Sequence, residues 1–221
     1  MYPDDPAATI ARAFHGGPWL RGYIKGKLRG DPVFATATAA VERLSLPVVD
    51  LGCGLGLFGL WLRAHGLDCA YRGCDLGSWK ITAGQRAAAR LGCRDMVLEE
   101  ANMCSFPLEG PAVVCTFDVI HYLPAAEQDS FNARLAGAAR NGSVVLMRTG
   151  VRGCGWRTGA TLLEEGWTRA TGWIRGGRVN FPHLGGLINY FEQEEGCLVK
   201  SRPLWGRTPF SSHWLEISAR R

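Results

Sequence analysis

At 221 residues, 47% of them hydrophobic and 20% charged, the chain has the size and makeup of one globular domain with a sizeable core. The formal net charge of +5 is mild, and without a basic stripe of the kind that grips nucleic acid it adds little to that reading. No apolar run reaches the roughly 18 residues that span a bilayer, and MYPDDPAATIARAF places acids where a secretory leader has a basic start, so a cytoplasmic protein without a transmembrane segment is expected.

Residues 6–44 read as helical, with a break at Gly16, Gly17 and Pro18 and a new start where Asp31 caps a helix that opens on Pro32. PVVDLG is a buried strand, LGLFGLWLRAHG a helix closed by Gly66, and LDCAYRGCDL a second strand. Ser78 caps WKITAGQRAAARLG, and DMVLEEAN and PAVVCTFDVI are the third and fourth strands. PAAEQDSFNARLAGAAR is a helix, and Asn141 and Gly142 turn the chain into the strand SVVLMRT. This alternation predicts an α/β, Rossmann-like fold with a parallel sheet and crossover helices. After residue 150 come a mixture of glycine, tryptophan and arginine, a helix at LGGLINYFEQEEG, and the strands CLVKSRPLW and SHWLEISAR, close enough to form a final antiparallel hairpin.

VVDLGCGLGLFGL contains two glycine patterns. Gly54, Gly56 and Gly59 fit a dinucleotide fingerprint, whereas Asp50, Gly52, Gly54 and Gly56 fit the D-x-G-x-G-x-G loop that binds S-adenosylmethionine. Ligands of an open parallel sheet sit beyond the carboxyl ends of its strands, so the first glycine belongs where the first strand ends, at Gly52. Counted from there, the dinucleotide pattern meets Leu57 where it needs a third glycine. Asp50 at the strand end would accept from the ammonium of the methionine part, Asp75 at the end of the second strand would take the ribose hydroxyls, and Asn102 with Met103 would read the adenine edge.

These positions resemble the class I S-adenosylmethionine-dependent methyltransferases over roughly residues 45–150. The resemblance implies a seven-stranded sheet with a reversed last strand, S-adenosylmethionine as cofactor and S-adenosylhomocysteine as product. It makes the chain one domain, with a helical lid at 1–44, a cofactor core at 45–150, and a substrate-side insert and terminal strands at 151–221. Most members carry Asp at the place of Asn102. The closer strings KLRGDPVF, DVIHYLP, LMRTG and TPFSSHWLEISAR resemble a bacterial group that accompanies aryl polyene and xanthomonadin-like pigments. They imply an aromatic or acyl acceptor, on an acyl carrier protein in one version. The group's Arg-Glu-Gly after the fifth strand is here Arg148, Thr149 and Gly150.

A sulfonium methyl is already activated, so the protein's work is to align the acceptor and exclude water. A protonated oxygen or nitrogen acceptor still needs a base, and histidine suits that task near neutrality. In FDVIHYLP, after the fourth strand, Asp118 would face the cofactor, His121 is the candidate base and Tyr122 a wall of the acceptor pocket. Arg148 could hold an anionic acceptor by its fork, and Tyr23 and Lys27 are lid residues toward the acceptor. Trp19, Trp156, Trp167 and Trp173 are candidates for an apolar pocket or for core.

The basic residues Arg21, Lys25, Lys27 and Arg29, then Arg148, Arg152, Arg157, Arg169, Arg175 and Arg178, suit solvated surface or an acidic acceptor or carrier. Eight cysteines without a C-x-x-C pair read as reduced thiols, and no metal site is expected. Nucleic acid is not expected as a substrate, since no Asp-Pro-Pro-Tyr or Pro-Cys motif follows the strands. The protein is taken as a monomer or homodimer that methylates an oxygen, or secondarily a nitrogen, of a small aromatic, acyl or acidic acceptor. The competing readings are an NAD-dependent oxidoreductase and a cofactor-binding protein without catalysis.

Overall fold

The computed structural model describes residues 5–152, 179–205 and 211–220. Three helices open the chain: α1 (Pro6–Ala13), α2 (Pro18–Gly30) and α3 (Pro32–Leu44). Each begins on a proline, whose missing N–H costs nothing in a first turn. Asp5 and Asp31 cap α1 and α3 by accepting from the backbone N–H groups of Ala8 and Val33. Helix α2 buries Ile24 and Leu28 and leaves its Trp19 and Tyr23 side exposed.

Two compact units divide the chain, residues 1–108 and 109–221. In the first, β1 (Val48–Leu51), β2 (Tyr71–Asp75) and β3 (Met96–Glu100) run parallel, with Asp50 opposite Gly73 and Asp75 opposite Glu100. Helices α4 (Leu57–Ala64) and α5 (Ser78–Arg90) make the crossovers. All four residues of β1 are buried, as the continuous apolar run predicts for an inner parallel strand. A Cβ on Gly59 would lie 2.5 Å from Met96 Cε and 2.8 Å from the Tyr71 ring, so this glycine lets α4 settle onto the sheet.

In the second unit, β4 (Val113–Phe117) and β5 (Val144–Gly150) are parallel, joined by α6 (Ala125–Arg140). A helix α7 (Leu184–Asn189) runs on into a π-helical turn, Tyr190–Glu194. The last two strands, β6 (Cys197–Pro203) and β7 (Ser212–Ala219), form the expected antiparallel hairpin, and β7 also pairs antiparallel with β5. The seven strands form one sheet in the order β3-β2-β1-β4-β5-β7-β6, so the reversed strand lies inside the sheet.

Two local expectations need correction. Ser78 is the first residue of α5 and makes no cap; Gly77 stands at the N-cap, and its N–H donates to the Asp75 carboxylate instead. The helix expected over LGGLINYFEQEEG is α-helical only as far as Asn189. Most of the glycine, tryptophan and arginine mixture that opens the 151–221 segment, with Trp156, Trp167, Trp173, Arg157, Arg169, Arg175 and Arg178, lies outside the described residues. No helix among the described residues is long and apolar enough to cross a membrane.

Candidate functional site

Residues 52–56 carry the chain from the carboxyl end of β1 into α4. Gly52, Gly54 and Gly56 all take positive φ, at 79°, 57° and 68°, a backbone that glycine adopts without steric cost. Gly52 and Cys53 donate their N–H groups to the Cys74 carbonyl at 2.8 and 2.9 Å, tying the loop to the end of β2. A Cβ on Gly54 would meet nothing within 4 Å, whereas one on Gly56 would press on Leu98 at 2.8 Å. Gly56 and Gly59 are therefore accounted for by packing, while Gly54 presents bare backbone to open space. Positive φ at Gly52, Gly54 and Gly56, which does not extend to Gly59, favours the Gly52, Gly54, Gly56 register as the loop proper.

Asp75 stands beside this loop. Its Oδ2 accepts from the Gly54 N–H at 3.0 Å and its Oδ1 from the Gly77 N–H at 2.7 Å, with Lys80 Nζ 3.9 Å away. One carboxylate thus fixes both the glycine loop and the start of α5, and it keeps acceptor capacity for two further donors such as a ribose diol. Next to it Leu76 and Trp79 are exposed, at 60% and 42%. This apolar surface against a carboxylate was missed in the sequence, although a leucine placed directly after the acid in a turn was the available signal.

Asp50 is buried in β1, and Tyr71 donates its hydroxyl to Asp50 Oδ2 at 2.5 Å. Burial pushes the Asp50 carboxyl up to about 7; the Tyr71 hydrogen bond opposes the rise and the nearby Asp75 adds to it. Asn102 is exposed and accepts from the Cys104 N–H at 2.9 Å in an Asx turn, with Met103 half-buried beside it. On α2, Tyr23 stacks on Trp19 with centroids 6.0 Å apart, and Lys27 pairs with Asp31 at 3.4 Å.

In the second unit the candidates gather where β4 ends. Asp118 has a left-handed φ of 56°, and its N–H donates to the Arg148 carbonyl at 2.8 Å. The Arg148 fork closes on the Asp118 carboxylate, Nε to Oδ1 at 3.1 Å and Nη2 to Oδ2. The fork expected to hold an anionic acceptor is thus engaged by Asp118, because a guanidinium buried this deeply needs its countercharge at hand. A 3-10 turn, Ile120–Tyr122, then buries His121, whose ring packs on Tyr122 and Phe181 with centroids at 4.3 and 5.0 Å.

Asn180 and Gln128 hold this turn, and neither was singled out from the sequence. The Asn180 N–H donates to the His121 carbonyl at 2.8 Å, its Nδ2 to the Leu123 carbonyl at 3.1 Å, and Gln128 Nε2 to the carbonyls of Leu123 and Asn180. Phe181 fits against Gly150, where a Cβ would come within 2.6 Å of its ring. Cys53, Cys69, Cys74, Cys93, Cys104, Cys115 and Cys197 are free thiols, and burial pushes Cys74 up to about 12. Among the described residues no group of three His, Cys, Asp or Glu side chains could hold a metal ion.

Residues 48–142 match the family model of a methyltransferase domain. The fold is similar to magnesium protoporphyrin IX methyltransferase from Synechocystis PCC 6803 with bound S-adenosylhomocysteine, at TM-score 0.65 and 18% identity over 96% of this chain and 93% of that one. It is also similar to the CcbJ methyltransferase from Streptomyces caelestis, at 0.64 and 15% over 98% of both chains. An O-methyltransferase from neocarzinostatin biosynthesis, in complex with S-adenosylmethionine and 2-hydroxy-5-methyl naphthoic acid, gives 0.57 and 21% over 98% of this chain and 67% of that one. No curated protein matches the chain.

Proposed function

We propose that this chain, a class I S-adenosylmethionine-dependent methyltransferase by its matched domain and its fold, methylates an oxygen of a small hydroxyaryl or acidic acceptor. The observation that carries the cofactor half is Gly54, whose bare backbone faces open space while the Asp75 carboxylate pins it from behind. These groups fit the cofactor: a loop without side chains lets a nucleoside approach, Asp75 has acceptor sites left for ribose hydroxyls, and exposed Leu76 offers an apolar face to a base. Asn102 and Met103 border the same strand ends.

When bound, the cofactor supplies a methyl group on a sulfonium, ready for in-line displacement. The protein's contribution is orientation and the removal of one proton. His121, buried among aromatic rings, takes the acceptor's hydroxyl proton as the oxygen attacks. Tyr122 and Phe181 supply flat apolar walls suited to an aryl acceptor. The reading of an aryl acceptor is supported by these rings and by the naphthoic acid bound to one structural neighbour. We further assign Tyr23 and Lys27 on α2 to a lid over the acceptor, and the basic residues Arg21 and Lys25 to an acidic carrier where the acceptor arrives on one.

Calorimetric titration with S-adenosylhomocysteine tests the cofactor half. Asp75→Ala is expected to weaken binding at least tenfold, about 1.4 kcal/mol. Gly54→Ala is expected to cost about 1 kcal/mol in stability for its left-handed backbone and about tenfold in affinity. A Cβ there has no protein neighbour within 4 Å to clash with, so a loss of affinity beyond the loss of stability reports the ligand's close approach. Binding of a nicotinamide cofactor in place of S-adenosylhomocysteine would overturn the assignment.

A further inference from the structure

Asp50 is the one charged residue of β1, and it lies 3% exposed in the middle of the first unit. A carboxylate has about four acceptor sites, yet among the described residues the structure records a single donor on this one, the Tyr71 hydroxyl of the neighbouring strand at 2.5 Å. The titratable groups that face it are Tyr71 and Cys74 on β2, Asp75 at the end of β2, and Cys53 in the glycine loop; the cation among them is none, and Asp75 repels. A carboxylate in such surroundings is poorly compensated until a cation arrives. The Tyr71 ring is fixed from the other side by α4, which comes down on it at Gly59, so the hydroxyl is held where it is rather than free to follow Asp50.

We propose that Tyr71 is a positioning residue of the cofactor site, its hydroxyl holding the Asp50 carboxylate charged and turned to receive the ammonium at the amino-acid end of the cofactor. The inference rests on the reading of the glycine loop as a site for S-adenosylmethionine. It assigns a function to a pair that composition alone would leave as a satisfied core contact. The sign of its pH dependence follows from the geometry. Burial raises the carboxyl and the Tyr71 hydrogen bond lowers it, so removing the hydroxyl shifts protonation of Asp50 to higher pH. A protonated Asp50 attracts an ammonium weakly, so affinity for an amino-acid-bearing ligand rises with pH through the Asp50 transition and the rise moves upward in the variant.

Two ligands separate this role from packing. S-adenosylhomocysteine carries the ammonium, whereas 5′-methylthioadenosine has the same nucleoside and sulfur without it. Both are titrated into the wild-type chain and Tyr71→Phe between about pH 5.5 and 8. The expected result is about tenfold weaker S-adenosylhomocysteine binding by Tyr71→Phe near neutrality, a smaller deficit at the alkaline end, and 5′-methylthioadenosine affinity unchanged. Should Tyr71→Phe fold poorly, Asp50→Asn serves instead, and it is expected to abolish the acid limb for S-adenosylhomocysteine alone. Equal weakening of both ligands, or an acid limb that stays in place, would overturn the proposal while leaving the cofactor assignment standing. Absence of S-adenosylhomocysteine binding by the wild-type chain at every pH would overturn the cofactor reading and this inference with it.

Discussion

Asp118→Ala is expected to destabilise the protein by about 3 kcal/mol or more, a fall of roughly 10 °C in Tm for a chain of this size. The Arg148 side chain is 6% exposed and spends its fork on Asp118, so removing the carboxylate strands a buried guanidinium. Asp118 already holds a φ of 56°, a left-handed backbone that Asp and Asn adopt more readily than Ala, so alanine adds a smaller cost on top. Asn tolerates that backbone, so Asp118→Asn should fall between the wild type and Asp118→Ala. Chemical denaturation of the three proteins checks the order. Equal loss in Asn and Ala would mean that charge alone matters, and a loss below about 0.5 kcal/mol in both would remove the pair from the structural account.

His121→Ala is expected to lower methyl transfer to a hydroxyaryl acid by about 100-fold or more, the usual worth of a positioned base, with S-adenosylhomocysteine affinity left within twofold. The substitution is readable because the turn does not depend on the imidazole. Asn180 holds the His121 carbonyl, and Gln128 holds the carbonyls of Leu123 and Asn180, all through groups that the mutation leaves in place. Transfer of labelled methyl, measured alongside thermal unfolding, separates the effects. Unchanged turnover in a folded variant would reduce His121 to a wall of the acceptor pocket, beside Tyr122.

The features legible in the sequence were those written in local chemistry. The Asp31 and Pro32 pair fixes the start of α3, the apolar run at 47–51 fixes β1, and the strand end fixes which glycines form the loop. Features that depend on what folds beside them were not legible. Ser78 is a good cap by type, but Asp75 reaches the Gly77 N–H first from the preceding strand end. Arg148 and Asp118 are 30 residues apart, and only parallel pairing of β4 with β5 brings the fork to the carboxylate. Tyr71 looks like an ordinary strand aromatic until β2 is laid against β1. The clamp by Asn180 is read the same way, since 52 residues separate it from Gln128.

The placement of β7 also bears on how the protein is made. Residues 212–219 fill the position next to β5, inside the sheet, and only then does β6, made earlier, find its partner. While the chain is being synthesised, β5 therefore waits with an open edge, and Cys197–Pro203 waits with nothing to pair to, until residue 219 has left the ribosome. Open strand edges are templates for association. The second unit thus has its period of greatest vulnerability between the synthesis of β6 and that of β7, and its sheet closes once β7 slots in between two strands that preceded it.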